Sequence, residues 1–379
     1  MNWLALKMLF GDRAKFLGLI FGVTFATLLM SQQISIFIGI VARAGSQILD
    51  VRDADLWVMD NKTRFLDESR SLRDTDLQRV RGIAGVEWAV KMYKGEVGAV
   101  MENGNFRGVI LEGIDDDTLV GAPAEMVAGS IGDLRQPDAV IVDTSGYTYM
   151  WPGEEVKLGR VFEINDHRAV LVGVCKTSAP FETLPVMFTR YSQASGFARL
   201  GRNLMTFILV KGHGDEPKER LAERISAETG LMALTKSQFF WKTIGYFLSS
   251  TGIPVNFGIT IGLGFIVGVA IAGQTFYLFV IENLKYFGSL KAMGVNNRRI
   301  VRMILLQTSF VGVLGYSLGT GCCAIMFEVT SSIPHLAGIG MTWKVSLGVA
   351  CSVVLIVLLS IALSVQRVLK LEPAIVFRG

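Results

Sequence analysis

Cysteine and histidine side chains are the groups in this sequence best suited to bind a metal ion or to act as nucleophiles. No pair with metal-ligand spacing occurs among the four cysteines, Cys175, Cys322, Cys323 and Cys351. The three histidines are scattered along the chain, at His167, His213 and His335. A zinc site or a catalytic triad requires such groups in a characteristic arrangement. We therefore expect neither, and interpret the cysteines as small buried hydrophobic side chains.

A run of three acidic residues, Asp115–Asp117, is the other feature that could suggest a metal site. Loops that bind calcium or magnesium space their oxygen ligands along the chain. The three aspartates instead follow one another directly. The sequence therefore favours a solvated loop here, with a hard-metal site as the alternative.

The elements that must position any functional side chain are dominated by four long stretches without charge. Only 18% of the 379 residues are charged, whereas soluble domains average about a quarter. The stretches lie between Lys15 and Arg43, Lys242 and Glu282, Arg302 and Glu328, and Lys344 and Arg367. About 20 apolar residues cross a bilayer. We therefore predict transmembrane helices at residues 16–42, 251–281, 301–327 and 344–366.

The second stretch is long enough for two crossings, but Pro254 follows a run of serine, threonine and glycine and is suited to start a helix. We interpret it as one long helix whose outer end protrudes from the bilayer.

Lysine and arginine are concentrated in residues 1–15, 282–300 and 367–379, while residues 328–343 contain none. Positive residues stay cytoplasmic. Both termini and the 282–300 loop are therefore expected inside, and residues 43–250 outside.

The N-terminal segment, residues 1–15, is expected to form an amphipathic helix on the inner membrane surface. Trp3, Leu6 and Phe10 share one helical face, and Lys7 lies off it. A cleaved signal peptide is the alternative, because Ala42-Arg43-Ala44 resembles a cleavage site. The apolar stretch is, however, longer than the 7–15 residues, roughly, of a signal peptide.

Glycines separated by four residues recur in three of the predicted transmembrane helices. Such pairs permit close helix packing in lipid, within one subunit or between two. The alternative is that glycine is simply common in membrane helices. The pairs are Gly18 with Gly22, Gly258 with Gly262, Gly264 with Gly268, and Gly315 with Gly319.

The large outer domain, residues 43–250, is predicted to be α+β. Its simplest organisation is an α/β subdomain, residues 50–115 and 204–235, interrupted by a β-rich insertion at residues 116–203. Runs at 86–101 and 106–114 flank an Asn-Gly turn and predict a β-hairpin. Further strands are expected at 140–143, 155–158, 161–164 and 169–174. The fold class is thus a polytopic α-helical membrane protein with four transmembrane helices and a large extracytoplasmic α+β domain.

A short amphipathic helix is predicted in the loop between the second and third transmembrane helices. Tyr286, Leu290 and Met293 share one helical face, with Phe287 beside them, and Gly294 is a natural helix stop. Lys285 and Lys291 add positive charge. An apolar face beside basic residues suits docking into a partner's groove. A helix resting on lipid head groups explains the same pattern equally well.

Short motifs in this loop, in the third predicted transmembrane helix and near the C-terminus resemble those of the FtsX/MacB-type (type VII) ABC transporter permeases, most closely the DevC branch. The motifs are Leu290-Lys-Ala-Met-Gly294, Val313-Leu-Gly-Tyr316 and Leu371-Glu-Pro-Ala-Ile-Val-Phe377. With the order of the predicted domains, the resemblance covers the whole chain. One position departs from it, because Tyr286 stands where that family usually has an acidic residue. We therefore do not expect the contact that this acid would make with an ATPase at position 286.

The resemblance implies a permease subunit that acts by mechanotransmission and does not hydrolyse ATP. Its partners would be two copies of an ABC ATPase, which bind ATP and Mg²⁺, and a second permease copy. The sequence itself contains no Gly-x-x-x-x-Gly-Lys-Ser/Thr loop for phosphates. We expect no cofactor, metal or nucleic acid on this chain. The residues expected to couple to the ATPase are Lys285, Tyr286, Phe287, Leu290, Lys291, Met293 and Gly294.

The resemblance further implies a bacterial inner-membrane protein with a MacB-like periplasmic domain. A DevC-like member would work in a tripartite pump with a membrane-fusion adaptor and a TolC-like channel, exporting an amphipathic or lipidic cargo. Two alternatives remain open. One is an FtsX-like regulator of an extracytoplasmic hydrolase, and the other is a membrane-anchored sensor without an ATPase. A neighbouring adaptor gene would favour export, and a neighbouring hydrolase gene would favour regulation.

Overall fold

The computed structural model describes residues 2–68, 70–198, 205–214, 216–330 and 339–369. The chain divides into two compact units, which we call the membrane unit (residues 1–39 and 252–379) and the sheet unit (residues 40–251). The family motif at 371–377 and half of the short loop at 328–343, residues 331–338, lie outside the described residues.

Helices occupy eleven segments of the described residues, besides a short 3₁₀ helix at Ile131–Arg135. They are α1 (Asn2–Gly11), α2 (Arg13–Asp50), α3 (Asp74–Arg81), α4 (Thr144–Met150), α5 (Tyr191–Phe197), α6 (Lys218–Thr229), α7 (Lys236–Ser250), α8 (Ile253–Glu282), α9 (Leu284–Ala292), α10 (Asn297–Thr330) and α11 (Trp343–Leu369).

Ten strands, all in the sheet unit, are found in the same residues. They are β1 (Leu56–Met59), β2 (Val86–Val100), β3 (Phe106–Ile114), β4 (Glu125–Ala128), β5 (Ala139–Asp143), β6 (Val161–Ile164), β7 (His167–Lys176), β8 (Val186–Arg190), β9 (Phe207–Gly212) and β10 (Met232–Thr235).

Four helices in the described residues are long and apolar enough to cross a membrane: α2, α8, α10 and the Trp343–Ala362 part of α11. The predicted fold class, four transmembrane helices with a large mixed α and β domain, is confirmed. α2 has 38 residues and is about 57 Å long, whereas the hydrocarbon core is about 30 Å thick. The helix therefore continues well beyond one bilayer crossing. α8 begins beside Pro254 at its first turn, as the sequence predicted.

The sheet unit contains one continuous sheet in the order β10-β1-β9-β2-β3-β8-β5-β7-β4, with β6 pairing to β2 and β7. The long strand β2 joins its two halves. Val86–Met92 pairs with β9, and Tyr93–Val100 pairs with β3. Since β3 also pairs with β8, hydrogen bonding groups β3 with the strands of the predicted insertion.

The predicted β-hairpin is confirmed. β2 and β3 are antiparallel and in register from Tyr93 opposite Gly113 to Val100 opposite Phe106. Gly104 in the connecting turn has φ +78°, a conformation that glycine adopts without steric cost. The register also places Lys94 directly opposite Glu112.

The core of the sheet unit follows the two-residue alternation of its strands. Leu56 and Val58 of β1 face a cluster that includes Leu77 of α3 and Leu221 of α6. Trp57, the residue between them, packs in a second cluster on the opposite face. Its ring lies 5.2 Å from Phe207 and 5.7 Å from Phe239, between ring centroids. The sheet is therefore covered on both faces.

The predicted strand at residues 155–158 is wrong, because this segment is irregular. Its backbone bonds to a side chain instead of a neighbouring strand. The hydroxyl of Tyr147 donates to the Glu155 carbonyl at 2.7 Å and accepts from the Lys157 amide at 3.0 Å. Glycines with positive φ, Gly153 and Gly159, flank the segment. The Tyr147 hydroxyl thus takes up two of the backbone hydrogen-bonding groups of this segment.

Candidate functional site

The helix between the second and third membrane-spanning helices, α9, ends in a Schellman motif. The Gly294 amide donates to the Lys291 carbonyl at 3.0 Å, and the Val295 amide donates to the Leu290 carbonyl at 3.0 Å. Gly294 has φ +85°, as its predicted role as helix stop requires. Leu290 and Val295 also pack together. The turn from α9 into α10 is therefore fixed by hydrogen bonds and apolar contact.

The predicted coupling residues separate into a buried and an exposed set. Phe287 is 0% exposed and Leu290 is 8% exposed, because both pack against other helices of the membrane unit. This burial corrects the expected place of Phe287 on a docking surface and leaves only a small part of Leu290 accessible. Tyr286 and Met293 are 64% and 72% exposed. Lys285 and Gly294 are also exposed, and Lys291 is half-buried.

The N-terminal helix α1 packs on α10 and α9 through a different face from the one formed by Trp3, Leu6 and Phe10. Its buried residues include Ala5 and Leu9. Ala5 contacts Leu290 and Met303, and its carbonyl accepts a hydrogen bond from Gln307 Nε2 at 2.8 Å. Trp3 is left 71% exposed. The helix is therefore held by the protein on one face and open on the other.

A groove of about 690 Å³ lies between α1 and α9. Leu4, Met8 and Leu290 contribute apolar surface, and Trp3, Tyr286 and Met293 line it with large exposed side chains. The Lys7 ammonium lies 4.8 Å from the centroid of the Trp3 ring, a cation–π contact. The coupling residues that remain exposed thus share one surface feature with the N-terminal helix.

One end of the groove carries an ion-pair cluster. Lys15 bonds to Asp12 at 2.7 Å and also pairs with Glu282. The hydrogen bond from Lys15 lowers the pKa of the Asp12 carboxyl. Glu282 is the acidic residue nearest to the coupling motif in sequence, and it pairs within this chain.

The predicted glycine pairs differ in what they contact. Gly18 and Gly22 face Thr275 and Ile271 of α8, and Gly264 faces Leu29 and Met30 of α2. Gly268 lies against Ala26 and Ile356, Gly315 against Val23, and Gly319 against Thr24 and Thr27. These three pairs therefore pack helices within the chain. Gly258 and Gly262 have open space where a Cβ would be.

A buried ionic network in the sheet unit was missed by the sequence analysis. The Lys94 ammonium is buried and lies 3.0 Å from Glu112 Oε1 and 3.5 Å from Asp67 Oδ1. It also donates to the side-chain oxygen of Gln47 on α2. Burial raises the pKa of the Glu112 carboxyl, and the Lys94 charge opposes that shift. The hairpin register, which pairs residues 94 and 112, was the signal that could have located it.

The end of α2 makes a second set of polar contacts in the sheet unit. Asp50 accepts hydrogen bonds from Thr177 Oγ1 at 2.8 Å and from the amide and hydroxyl of Ser178 at 2.8 and 2.9 Å. Gln47 and Asp50 are one helical turn apart. The last turn of α2 is therefore bonded to β2 and to the loop after β7.

Two residues of the acidic run accept hydrogen bonds, one from a nearby residue and one from a residue distant in sequence. Asp115 accepts from the Thr118 amide and hydroxyl at 3.0 and 2.7 Å, and Asp116 accepts from the Ser192 hydroxyl at 2.6 Å. Among the described residues, no group of three or more His, Cys, Asp or Glu side chains could hold a metal ion.

Comparison with known proteins finds a family match in the C-terminal part of the chain. Residues 258–373 match the family described as FtsX-like permease C-terminal. An uncharacterized ABC transporter permease of Mycobacterium tuberculosis is 25% identical over 313 residues, which cover 81% of this chain and 79% of the relative. An uncharacterized ABC transporter permease of Methanocaldococcus jannaschii is 23% identical over 239 residues, which cover 59% of this chain and 58% of the relative.

Two solved structures are similar at low sequence identity. The periplasmic region of MacB from Actinobacillus actinomycetemcomitans is 16% identical with a TM-score of 0.40, over 54% of this chain and 96% of that chain. The extracellular domain of the noncanonic ABC-type transporter YknZ from Gram-positive bacteria is 16% identical with a TM-score of 0.35, over 48% of this chain and 99% of that chain.

Proposed function

We propose that this chain, an FtsX-like protein homologous to ABC transporter permeases, is the membrane subunit of an exporter driven by a separate ABC ATPase. The narrower resemblance to the DevC branch stays a prediction. ATP and Mg²⁺ would bind to the partner, because this sequence lacks the phosphate-binding loop. The permease itself contributes no catalytic residue.

The position of α9 carries the proposal. The helix follows α8 after a single residue, Asn283, whose side chain donates to the Phe279 carbonyl at 2.8 Å. Its other end turns into α10 through the Schellman motif at Gly294. Buried Phe287 anchors it to the membrane unit, while Tyr286 and Met293 remain exposed. A push on those two side chains would reach two membrane-spanning helices at once.

Mechanotransmission is the mode of action that we propose. α2 runs without interruption from Arg13 to Asp50 and ends in the polar contacts of Gln47 and Asp50 within the sheet unit. Movement of this helix would therefore be passed to the strands and loops bonded to its end. The cargo, an amphipathic or lipidic molecule, would be handled outside the bilayer, in keeping with membrane helices that carry no ionisable residue at mid-span.

The proposed assembly contains two ATPase copies and a second copy of this permease. The open surface at Gly258 and Gly262 is a place where a second copy could approach α8 closely. We further propose an adaptor and a TolC-like channel as outer partners and a bacterial inner-membrane location with both termini cytoplasmic. A second candidate function is regulation of an extracytoplasmic hydrolase, which the FtsX-like family match also fits.

Substitution of the exposed coupling residues tests the proposal. We expect the double variant Tyr286→Asp/Met293→Asp to lose the ATP-binding subunit during affinity purification from native membranes, because charge replaces its apolar contact. Phe106→Asp, at an equally exposed aromatic of the sheet unit, is the matched control and should retain it. Leu290→Asp is unsuitable, since burial of a charge there would disrupt folding.

Quantitative mass spectrometry of the purified complexes measures the ratio of ATPase to permease. An unchanged ratio in the double variant would contradict the coupling role. Accumulation of an amphipathic or lipidic compound in a deletion strain would support export, whereas a defect in cell-wall hydrolysis without such accumulation would support regulation.

A further inference from the structure

The groove between α1 and α9 has two walls, and the matched family region, residues 258–373, includes only one of them. α1 supplies Trp3, Lys7 and Met8 to the other wall. We propose that both helices together form a receptor groove for one segment of the ATPase, which inserts an apolar side chain between them and carries acidic residues beside it. This inference rests on the proposed function and adds a second docking element to it.

The shape of the groove is set before any partner binds. α1 is fixed by the hydrogen bond between Gln307 and the Ala5 carbonyl and by the contact of Ala5 with Leu290 and Met303. α9 is fixed by buried Phe287 and by its Schellman motif. A binding site that is already ordered loses little entropy when it is filled. The groove is therefore suited to hold a short segment tightly.

The side chains at the groove surface are of the types that dominate protein interfaces. Trp3, Tyr286 and Met293 are each more than 60% exposed. Tryptophan and tyrosine are enriched among residues that contribute most to binding, and methionine among interface residues. Leu4 and Met8 lie deeper and provide apolar contact. An apolar side chain of a partner would be buried among these residues.

The positive charge around the groove indicates which residues should flank the apolar side chain of the partner segment. Residues 1–15 and 282–302 contain eight lysines and arginines and only two acidic residues, Asp12 and Glu282. Both acids are already paired with Lys15. The helices around the groove therefore carry excess positive charge, which complements a segment with acidic residues and accelerates its association.

The same charges argue against a second copy of this chain as the occupant. It would bring an equally basic surface against this one, which like-charge repulsion disfavours. A peptide segment with an apolar centre and acidic flanks does not meet this obstacle.

Site-specific photocrosslinking tests the inference in the full chain in native membranes. Benzoylphenylalanine replaces Trp3, Tyr286 or, as a control, Phe21, an exposed residue of α2 outside the groove. Crosslinked products are identified by peptide mass and must contain a phosphate-binding loop to be assigned to the ATPase. We expect ATPase products from the positions of Trp3 and Tyr286, and none from that of Phe21.

The outcomes separate the inference from the proposed function. ATPase crosslinks from Tyr286 alone would overturn the role of α1 and leave the coupling role of α9 intact. Absence of ATPase crosslinks from both positions would overturn both. Products at the Trp3 position that contain only lipid or a second copy of this chain would also overturn the inference.

Affinity measurements with point variants give a second readout. Trp3→Ala should weaken the binding of the identified ATPase at least tenfold, as removal of a central interface tryptophan does. Lys7→Glu should weaken it and reduce the dependence of affinity on salt concentration, because a complementary charge is lost. Phe21→Ala is the matched control. Unchanged affinity in both groove variants, with unchanged thermal stability, would overturn the inference.

Discussion

Lys94 is a buried cation whose partners come from three separate parts of the sheet unit: Gln47 on α2, Asp67 in a loop and Glu112 on β3. Burying an ion pair costs desolvation energy that the attraction between the charges only partly offsets. Such a network therefore adds little net stability. Removing one member is nevertheless costly, because it leaves the opposite charge buried without its partner.

Replacing Lys94 measures the cost of removing one member of the network, and replacing Lys94 together with Glu112 measures the net contribution of the pair. Lys94→Met should lower the free energy of unfolding of the sheet unit by about 3–5 kcal/mol, since Glu112 is left buried and unpaired. The double variant Lys94→Met/Glu112→Leu should recover most of that loss. Denaturant unfolding followed by tryptophan fluorescence is the measurement. Lys62→Met, at an exposed lysine, should change stability by less than about 0.5 kcal/mol. A double variant no more stable than Lys94→Met would contradict this explanation.

Glu68 predicts a pH dependence of stability. Burial raises the pKa of this carboxyl, but hydrogen bonds from Arg64 and Arg70 outweigh it and lower the pKa from 4.5 to about 2. Since the pKa is lower in the folded state, the stabilisation is present above pH 4.5 and is lost as pH falls toward about 2. Glu68→Gln should remove that part of the acid sensitivity.

Thermal unfolding across this pH range provides the measurement, with the exposed Glu87 replaced by Gln as control. The same acid dependence in Glu68→Gln as in the parent chain would show that another group is responsible.

Part of the ionic network could have been predicted from the sequence, and part could not. The Asn-Gly turn defines the hairpin register, and that register pairs Lys94 with Glu112. Gln47 and Asp67 could not be assigned to the network in this way, because their approach depends on how α2 and a long loop pack against the sheet. Contacts between residues distant in sequence require the assembled fold.

Among the secondary-structure elements, the membrane-spanning helices were the most predictable, because absence of charge over about 20 residues leaves few alternatives. The short helices were less so. α9 was predicted as an amphipathic helix, yet the burial of Phe287 and Leu290 depends on neighbours, including α1, that periodicity does not reveal. α7 was missed although Thr235 and Gln238 form a capping box at its start, a signal that sequence reasoning could have used.

Glycine contacts predict which helices are sensitive to an added methyl group. A Cβ on Gly319 would lie 2.7 Å from the backbone oxygen of Thr24 on α2, whereas a Cβ on Gly262 would meet nothing within 4 Å. Gly319→Ala should therefore destabilise the membrane unit by roughly 1–3 kcal/mol, and Gly262→Ala should not.

Thermal stability in detergent distinguishes the two variants. Equal effects would contradict the packing described for Gly319. A Gly262→Ala variant that folds normally but shows less dimer on crosslinking would support a second copy at that surface of α8.

At the scale of the whole molecule, composition and the distribution of charge were enough to predict four transmembrane helices and one large mixed α and β domain. The strand order could not be predicted, because β2 pairs with β9 over one half and with β3 over the other. The wrong strand at 155–158 shows the same limit on a smaller scale. There, the Tyr147 hydroxyl competes with a neighbouring strand for the backbone.

The orientation of the chain in the membrane is a prediction that labelling can test. In a variant without native cysteines, Phe106→Cys at the hairpin end should react with a membrane-impermeant maleimide on intact spheroplasts. Tyr286→Cys should react only after permeabilisation. Both native side chains are well exposed, so access to the reagent depends on the membrane. The reverse pattern would contradict the proposed topology and with it the docking of an ATPase at α9.

Because α2 is long and unbroken, a small tilt at its base moves its far end over a large distance. A rod of about 57 Å that tilts by about 10° carries its far end through about 10 Å. Asp50 is the last residue of this helix, and its three hydrogen bonds hold the loop at Thr177 and Ser178. In the proposed mechanism this helix acts as a lever arm, which converts a small tilt at one end into a displacement of about 10 Å at the other.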